Sequence, residues 1–159
     1  MNIYKDKICV ITGAASGIGR ALAVSLAESG AQLALSDINA DGLSETVNMV
    51  GGSNRVMSDV FDMADAEAIA GYADHVETTL GKADYVFNVA GLTRVGHFVD
   101  TPLESMEKVM NVNYWGVVRR PKPLWIKSSR KKAPSLISQV SLALSDMRDK
   151  PIIAPQNLR

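Results

Sequence analysis

The chain has 159 residues, with 17 Lys and Arg balanced by 17 Asp and Glu, 47% hydrophobic residues and a single cysteine, Cys9. That length suits one ordinary domain with a real core, and one cysteine leaves no disulfide framework and no cysteine-built metal site. The sequence shows no membrane-length apolar run and no signal-peptide pattern, which makes the cytoplasm the expected location and a membrane partner unexpected.

Ile8-Cys9-Val10-Ile11 is a short apolar run of the kind a buried parallel strand needs. Thr12 to Gly19 follows as a turn of small residues, and Arg20 to Ser29 places Ala21, Leu22, Val24, Leu26 and Ala27 on one helical face before Gly30. Strand, glycine turn and helix form the context in which a backbone approaches a pyrophosphate, which the free N–H groups at the helix start then hold. The cofactor contacts expected here are Gly13, Ser16, Gly17, Ile18 and Gly19.

Gln32 to Leu35 reads as the second strand and leads to Asp37, at the distance where a carboxylate can accept bonds from both hydroxyls of an adenosine ribose. Such a carboxylate repels a 2′-phosphate, so NAD is expected ahead of NADP, although Arg20 lies near and Asp37 could equally cap a helix starting near Asn39. A third strand, Arg55 to Met57, leads to Asp59 and Val60, placed to bond an adenine. A fourth, Tyr85 to Phe87, leads to Asn88, Ala90 and Gly91. A helix starting after Thr101-Pro102 carries Asn113, and its Met106, Val109, Met110 and Val112 follow helical spacing expected of core. His75 and His97 read as isolated, on a surface helix and in a loop, and no metal site is expected.

From Lys7 to Val118 the chain resembles the short-chain dehydrogenases/reductases. Thr12 to Gly19 fits that family's TGxxxGIG, Asp37 its acidic residue in NAD-preferring members, Asp59 its adenine-contacting Asp, and Asn113 the Asn supporting its proton relay. Asn88 to Gly91 fits its NNAG, with Val89 in place of the second Asn. The resemblance implies an α/β, doubly wound, Rossmann-like parallel sheet ordered 3-2-1-4 over these strands, and hydride transfer between a nicotinamide and a small-molecule alcohol or ketone. It also implies homo-oligomers, a catalytic Ser, and a Tyr-x-x-x-Lys pair in which the Lys lowers the pKa of the Tyr.

That pair is absent: four residues beyond Tyr4, Tyr72, Tyr85 and Tyr114 stand Ile8, Val76, Val89 and Val118, and no Tyr follows Tyr114. Composition changes at the same point. All 12 glycines lie at or before Gly116, and five of the 6 prolines lie from Pro121 onward. Residues 1–118 hold 7 Lys and Arg against 15 Asp and Glu, a net of −8, whereas residues 119–159 hold 10 against 2, a net of +8. We therefore divide the chain into a partial NAD-binding domain, 1–118, and an aberrant basic tail, 119–159, with the fold truncated after its fourth strand and that apolar strand left as an edge. Pro121 and Pro123 are expected to break the helix carrying Asn113.

Three readings of the tail compete. One is a disordered basic segment, and another is a nucleic-acid arm, poorly served because Trp125 is its only aromatic residue. The third, which we favour, is a reading frame shifted near Val118 to Arg120. If each codon takes the third base of one residue and two of the next, Leu136 to Leu158 can spell a string containing the family's catalytic residues. The Ser codon then straddles Gln139 and Val140, the Tyr codon Ile152 and Ile153, and the Lys codon Gln156 and Asn157. The resulting spacings, thirteen and four, are the family's own.

Overall fold

The computed structural model describes residues 3–51 and 55–119, and the tail beyond lies outside them, as do the expected proline break and the segment Leu136 to Val140. Four parallel strands, β1 (Ile8–Thr12), β2 (Gln32–Asp37), β3 (Val56–Val60) and β4 (Tyr85–Asn88), form one sheet in the order β3-β2-β1-β4. This is the expected doubly wound order. Helices α1 (Gly17–Glu28), α2 (Ala40–Met49) and α3 (Ala66–Thr79) connect successive strands, and α4 (Leu103–Met110) follows β4 after a short 3-10 turn, Phe98–Asp100.

The alternation of side chains along each strand explains the layering. Cys9, Ile11, Leu33, Leu35 and Phe87 share one face and pack with Ala23, Leu26 and Leu43 of α1 and α2. Ile8, Val10, Ala34, Met57 and Val86 share the other and pack with Tyr72, Ala73 and Val76 of α3. All five residues of β1 are buried, which is why its sequence runs apolar without interruption. Each fully buried Ile or Leu contributes about 1.5–3 kcal/mol, so both faces of the central strand hold the helices to the sheet.

Helix ends follow local chemistry. Asn39 caps α2 by accepting from the Gly42 amide at 3.1 Å, and Asp65 caps α3 by accepting from Glu67 and Ala68. The capping role that Asp37 could have filled therefore belongs to Asn39. At α4 the expectation of core residues is corrected: Val112 is buried, Met106 and Val109 are half-buried, and Met110 is 49% exposed. The helical period is present, but among the described residues the face carrying Met110 meets no partner layer.

Cys9 is the small buried hydrophobe its setting in β1 suggests. Burial, with the negative charge of Asp84 as a lesser cause, pushes its thiol up to about 12. The native protein should therefore resist iodoacetamide at neutral pH and react only once unfolded; mass spectrometry of alkylated protein reads the difference, and rapid native labelling would contradict it. A free thiol titrates near ~8.5. Because the folded pKa is the higher one, stability should fall as pH climbs from there towards about 12.

Candidate nucleotide-binding site

The strand register sets Thr12 beside Ser36 and Asn88, and Asp37 beside Val60. The glycine turn after β1, Asp37, Val60 and the Asn88–Gly91 turn thus share the carboxyl edge of the sheet, where open α/β sheets bind their ligands.

Backbone packing explains the glycines. Gly13 has φ +73°, and a Cβ there would stand 2.6 Å from the Ala90 amide nitrogen. At Gly19 a Cβ would stand 2.0 Å from the Gly13 carbonyl oxygen. Between these two tight points, Ser16, Gly17 and Ile18 are exposed at the start of α1, and a Cβ at Gly17 would meet nothing within 4 Å. Ser16 makes no side-chain cap bond, so the first amides of α1 have no side-chain acceptor from the cap position. A closed backbone bend beneath an open helix terminus is a shape that fits a pyrophosphate.

The turn is held from three sides. Thr12 Oγ1 accepts from the Val89 and Ala90 amides, each at 3.2 Å, tying β1 to the turn after β4. Asp37 Oδ2 accepts from the Ala15 amide at 2.9 Å, and its Oδ1 accepts from Asn39. Arg20 donates to Thr46, to the Ala15 and Gly42 carbonyls, and to Glu45, and Thr46 in turn donates to the Ala14 carbonyl. Its guanidinium is committed to joining the turn to α2, which removes the ambiguity that Arg20 introduced beside Asp37.

Asn113 lies on a wide helical turn, Asn111–Trp115, which continues α4 into a last α-turn, Gly116–Val118. The Gly116 amide donates back to the Asn111 carbonyl, five residues away, and turns of this kind recur at functional sites. The Asn113 amide makes a two-point bond to Leu92: Oδ1 accepts from its N–H and Nδ2 donates to its carbonyl, both at 2.9 Å. A Cβ on Gly91 would stand 3.3 Å from Asn113 Oδ1. Gly13, Ala90, Gly91 and Asn113 are therefore brought together, with the Asn113 side chain holding the backbone rather than facing a ligand.

Asp59 lies inside β3, not beyond its end, and its carboxylate pairs with Nδ1 of His75 at 3.0 and 3.1 Å. This corrects the reading of His75 as isolated. The two residues are 16 apart, and a lone helical histidine gives no sign of a strand partner until α3 is docked. The Arg20 and Asp37 contacts were hidden in the same way.

None of the four tyrosines supplies a relay. Tyr85 begins β4, at the opposite edge of the sheet, and packs edge-on to Tyr4 with ring centroids 5.2 Å apart. Tyr72 is buried, which pushes its hydroxyl far above its ordinary range; the nearby Ser36 opposes the shift and Asp59 adds to it. Neither the Tyr72 nor the Ser36 hydroxyl has a partner at hydrogen-bonding geometry. Tyr114 packs edge-on against Trp115. Among the described residues no three His, Cys, Asp or Glu side chains come together as a metal site, and no helix is long and apolar enough to cross a membrane.

A model of the family described as short chain dehydrogenase matches residues 7–139. The chain belongs to the short-chain dehydrogenase family. The match continues to Gln139, past the Val118 limit of the motif resemblance. SadH of Mycobacterium tuberculosis, a protein named as an oxidoreductase, is 42% identical over 123 residues, covering 77% of this chain and 45% of SadH. A short-chain dehydrogenase/reductase from Burkholderia phymatum, solved in complex with NAD, superposes with a TM-score of 0.70 at 31% identity, over 73% of this chain and 42% of that one. A glucose/ribitol dehydrogenase of the family from Brucella melitensis gives 0.73 at 26% identity, over 78% and 53%. This chain thus spans about half the length of the relatives it matches.

Proposed function

We propose that this chain is a nicotinamide-dinucleotide-binding unit of an NAD-dependent short-chain oxidoreductase acting on a small alcohol or ketone, in the cytoplasm. The observation carrying this reading is the closed bend at Gly13 and Gly19 beneath the open amides of Ser16 to Ile18, with Asp37 anchored beside it. The residues present fit the dinucleotide. Gly13, Ser16, Gly17, Ile18 and Gly19 would hold the pyrophosphate, Asp37 the adenosine ribose, and Asp59 and Val60 the adenine. Asn88, Ala90 and Gly91 would line the nicotinamide end. When bound, the nicotinamide supplies a hydride acceptor or donor.

Asn113 contributes by fixing the Gly91–Leu92 backbone through its two bonds to Leu92, which orders the floor of the site. Asp37 favours NAD. Its carboxylate stands 2.9 Å from the Ala15 amide, and the Arg20 guanidinium is spent on carbonyls, Thr46 and Glu45. A 2′-phosphate would thus meet an anion whose neighbouring cation is already engaged. Hydrogen bonds to a charged group are worth about 1.5–3 kcal/mol, so Asp37→Ala should weaken NAD+ binding by roughly 10–100-fold. It should weaken NADP+ binding far less. Calorimetric titration of both dinucleotides checks this, and an equal loss for the two would defeat the assignment of Asp37.

The second part of the proposal concerns chemistry. The chain as written carries no Tyr after Tyr114 and no Tyr-x-x-x-Lys pair, and the shifted frame restores Ser, Tyr and Lys at the family's spacing. We attribute the missing relay to that shift. Resequencing the DNA across codons 115 to 125 tests it directly: an intact frame would refute the attribution and leave a catalytically silent binding protein, the alternative function.

A further inference from the structure

We infer that His75 is a positioning residue for adenine recognition, acting through Asp59; the inference rests on the proposed dinucleotide site. β3 is an edge strand, so a carboxylate on it is not confined by strands on both sides. His75 provides that confinement from α3. An ionised carboxylate only accepts hydrogen bonds, so the His75 Nδ1 must carry the proton and donate. It stands 3.0 Å from Oδ1 and 3.1 Å from Oδ2, sharing one N–H between both oxygens. Each oxygen keeps a free lone pair, and the carboxylate plane is set by a donor on its helix side.

The helix itself is well fixed. Tyr72, Ala73 and Val76 surround His75 in sequence and are all buried against the sheet. Ser36 is the register partner of Asp59 on β2, which closes the inner side. The Asp59 side chain remains 29% exposed and the His75 ring 52%, so the pair lies at the surface with the carboxylate open to a ligand. An exocyclic amine is the group such an acceptor selects. Adenine has one at C6, while hypoxanthine has a carbonyl oxygen there, which a carboxylate repels.

The test compares binding of NAD+ and its hypoxanthine analogue, nicotinamide hypoxanthine dinucleotide, to the full chain by calorimetry. The two ligands share every group except the one facing Asp59, so general damage to the fold weakens both and leaves their ratio unchanged. The wild type should prefer NAD+ by about tenfold or more. Asp59→Ala should abolish the preference. His75→Ala should bring it close to the Asp59→Ala value, and His75→Asn, whose amide nitrogen falls near the place of Nδ1, should restore most of it. A wild-type preference that survives His75→Ala overturns the inference while leaving the dinucleotide site standing. Absence of NAD+ binding in the wild type overturns both, and a preference unaffected by Asp59→Ala removes the adenine contact on which His75 would act.

Discussion

Gly19→Ala is expected to eliminate dinucleotide binding and to destabilise the fold by about 3 kcal/mol or more. The new Cβ would lie 2.0 Å from the Gly13 carbonyl oxygen and 2.7 Å from its carbon, both backbone atoms. No side-chain rotation relieves such a contact. The Gly13 backbone is itself pressed against Ala90, where a Cβ on Gly13 would have only 2.6 Å, so the strain passes directly to the turn after β4. Chemical denaturation followed by tryptophan fluorescence should show a lowered midpoint, and titration should show no saturable binding. The neighbouring Gly17 is the control. It has φ +51° but empty space around its Cβ position, so Gly17→Ala should cost backbone strain of about 1 kcal/mol and much less affinity. Equal losses at the two positions would mean that close packing is not what Gly19 provides.

The purified chain as written is expected to show no NAD-dependent oxidation of secondary alcohols above background, even where it binds the dinucleotide. Reducing a ketone leaves an alkoxide-like oxygen that needs a proton, and a positioned general acid is worth about 10²–10⁴ in rate. Asn113 cannot provide it, because its side chain is bonded to Leu92 and an amide does not titrate at neutral pH. Tyr72 is the most buried of the four phenols and is pushed upward, the wrong direction for a proton donor near neutrality. The protein read in the shifted frame, with its Ser, Tyr and Lys, should turn over. Following NADH absorbance for the two proteins against a panel of alcohols decides the matter, and matching activity would show the written tail to be competent.

Much of the architecture could be read before folding because each strand is a local pattern. Ile8 to Ile11 and Gln32 to Leu35 are apolar runs bounded by turns, and the helix after Thr101-Pro102 begins at Leu103 as its proline suggests. Strand ends were less legible. β2 extends to Asp37 and β3 to Val60, because pairing with a neighbour carries polar residues into the ladder that propensity alone would end sooner. The site divides along the same line. Gly13, Gly19 and Asp37 announce themselves through spacing on a short stretch of chain. The bonds of Asp59 to His75 and of Arg20 to Thr46 and Glu45 join separate elements, and no periodicity encodes them. Met110 shows the opposite failure, since a helical stripe records which residues could be buried, not whether anything covers them.

The wide turn at Asn111–Trp115 gives chain length a leverage that side-chain chemistry lacks. It amounts to one residue more than an α-helix would use, so removing Tyr114 could close it to ordinary helix without breaking the rod. Asn113 would keep its place beside Leu92, yet everything downstream would swing by about 100° around the axis. Gly116, where a Cβ would lie 2.7 Å from the Met63 carbonyl, would be carried off that contact, and a bulkier residue would take its seat. A single-codon deletion is thus a sharper instrument here than any substitution. It would detach the end of the helix from the loop after β3 while leaving the nucleotide cradle intact, making the two halves of the molecule separable by counting residues alone.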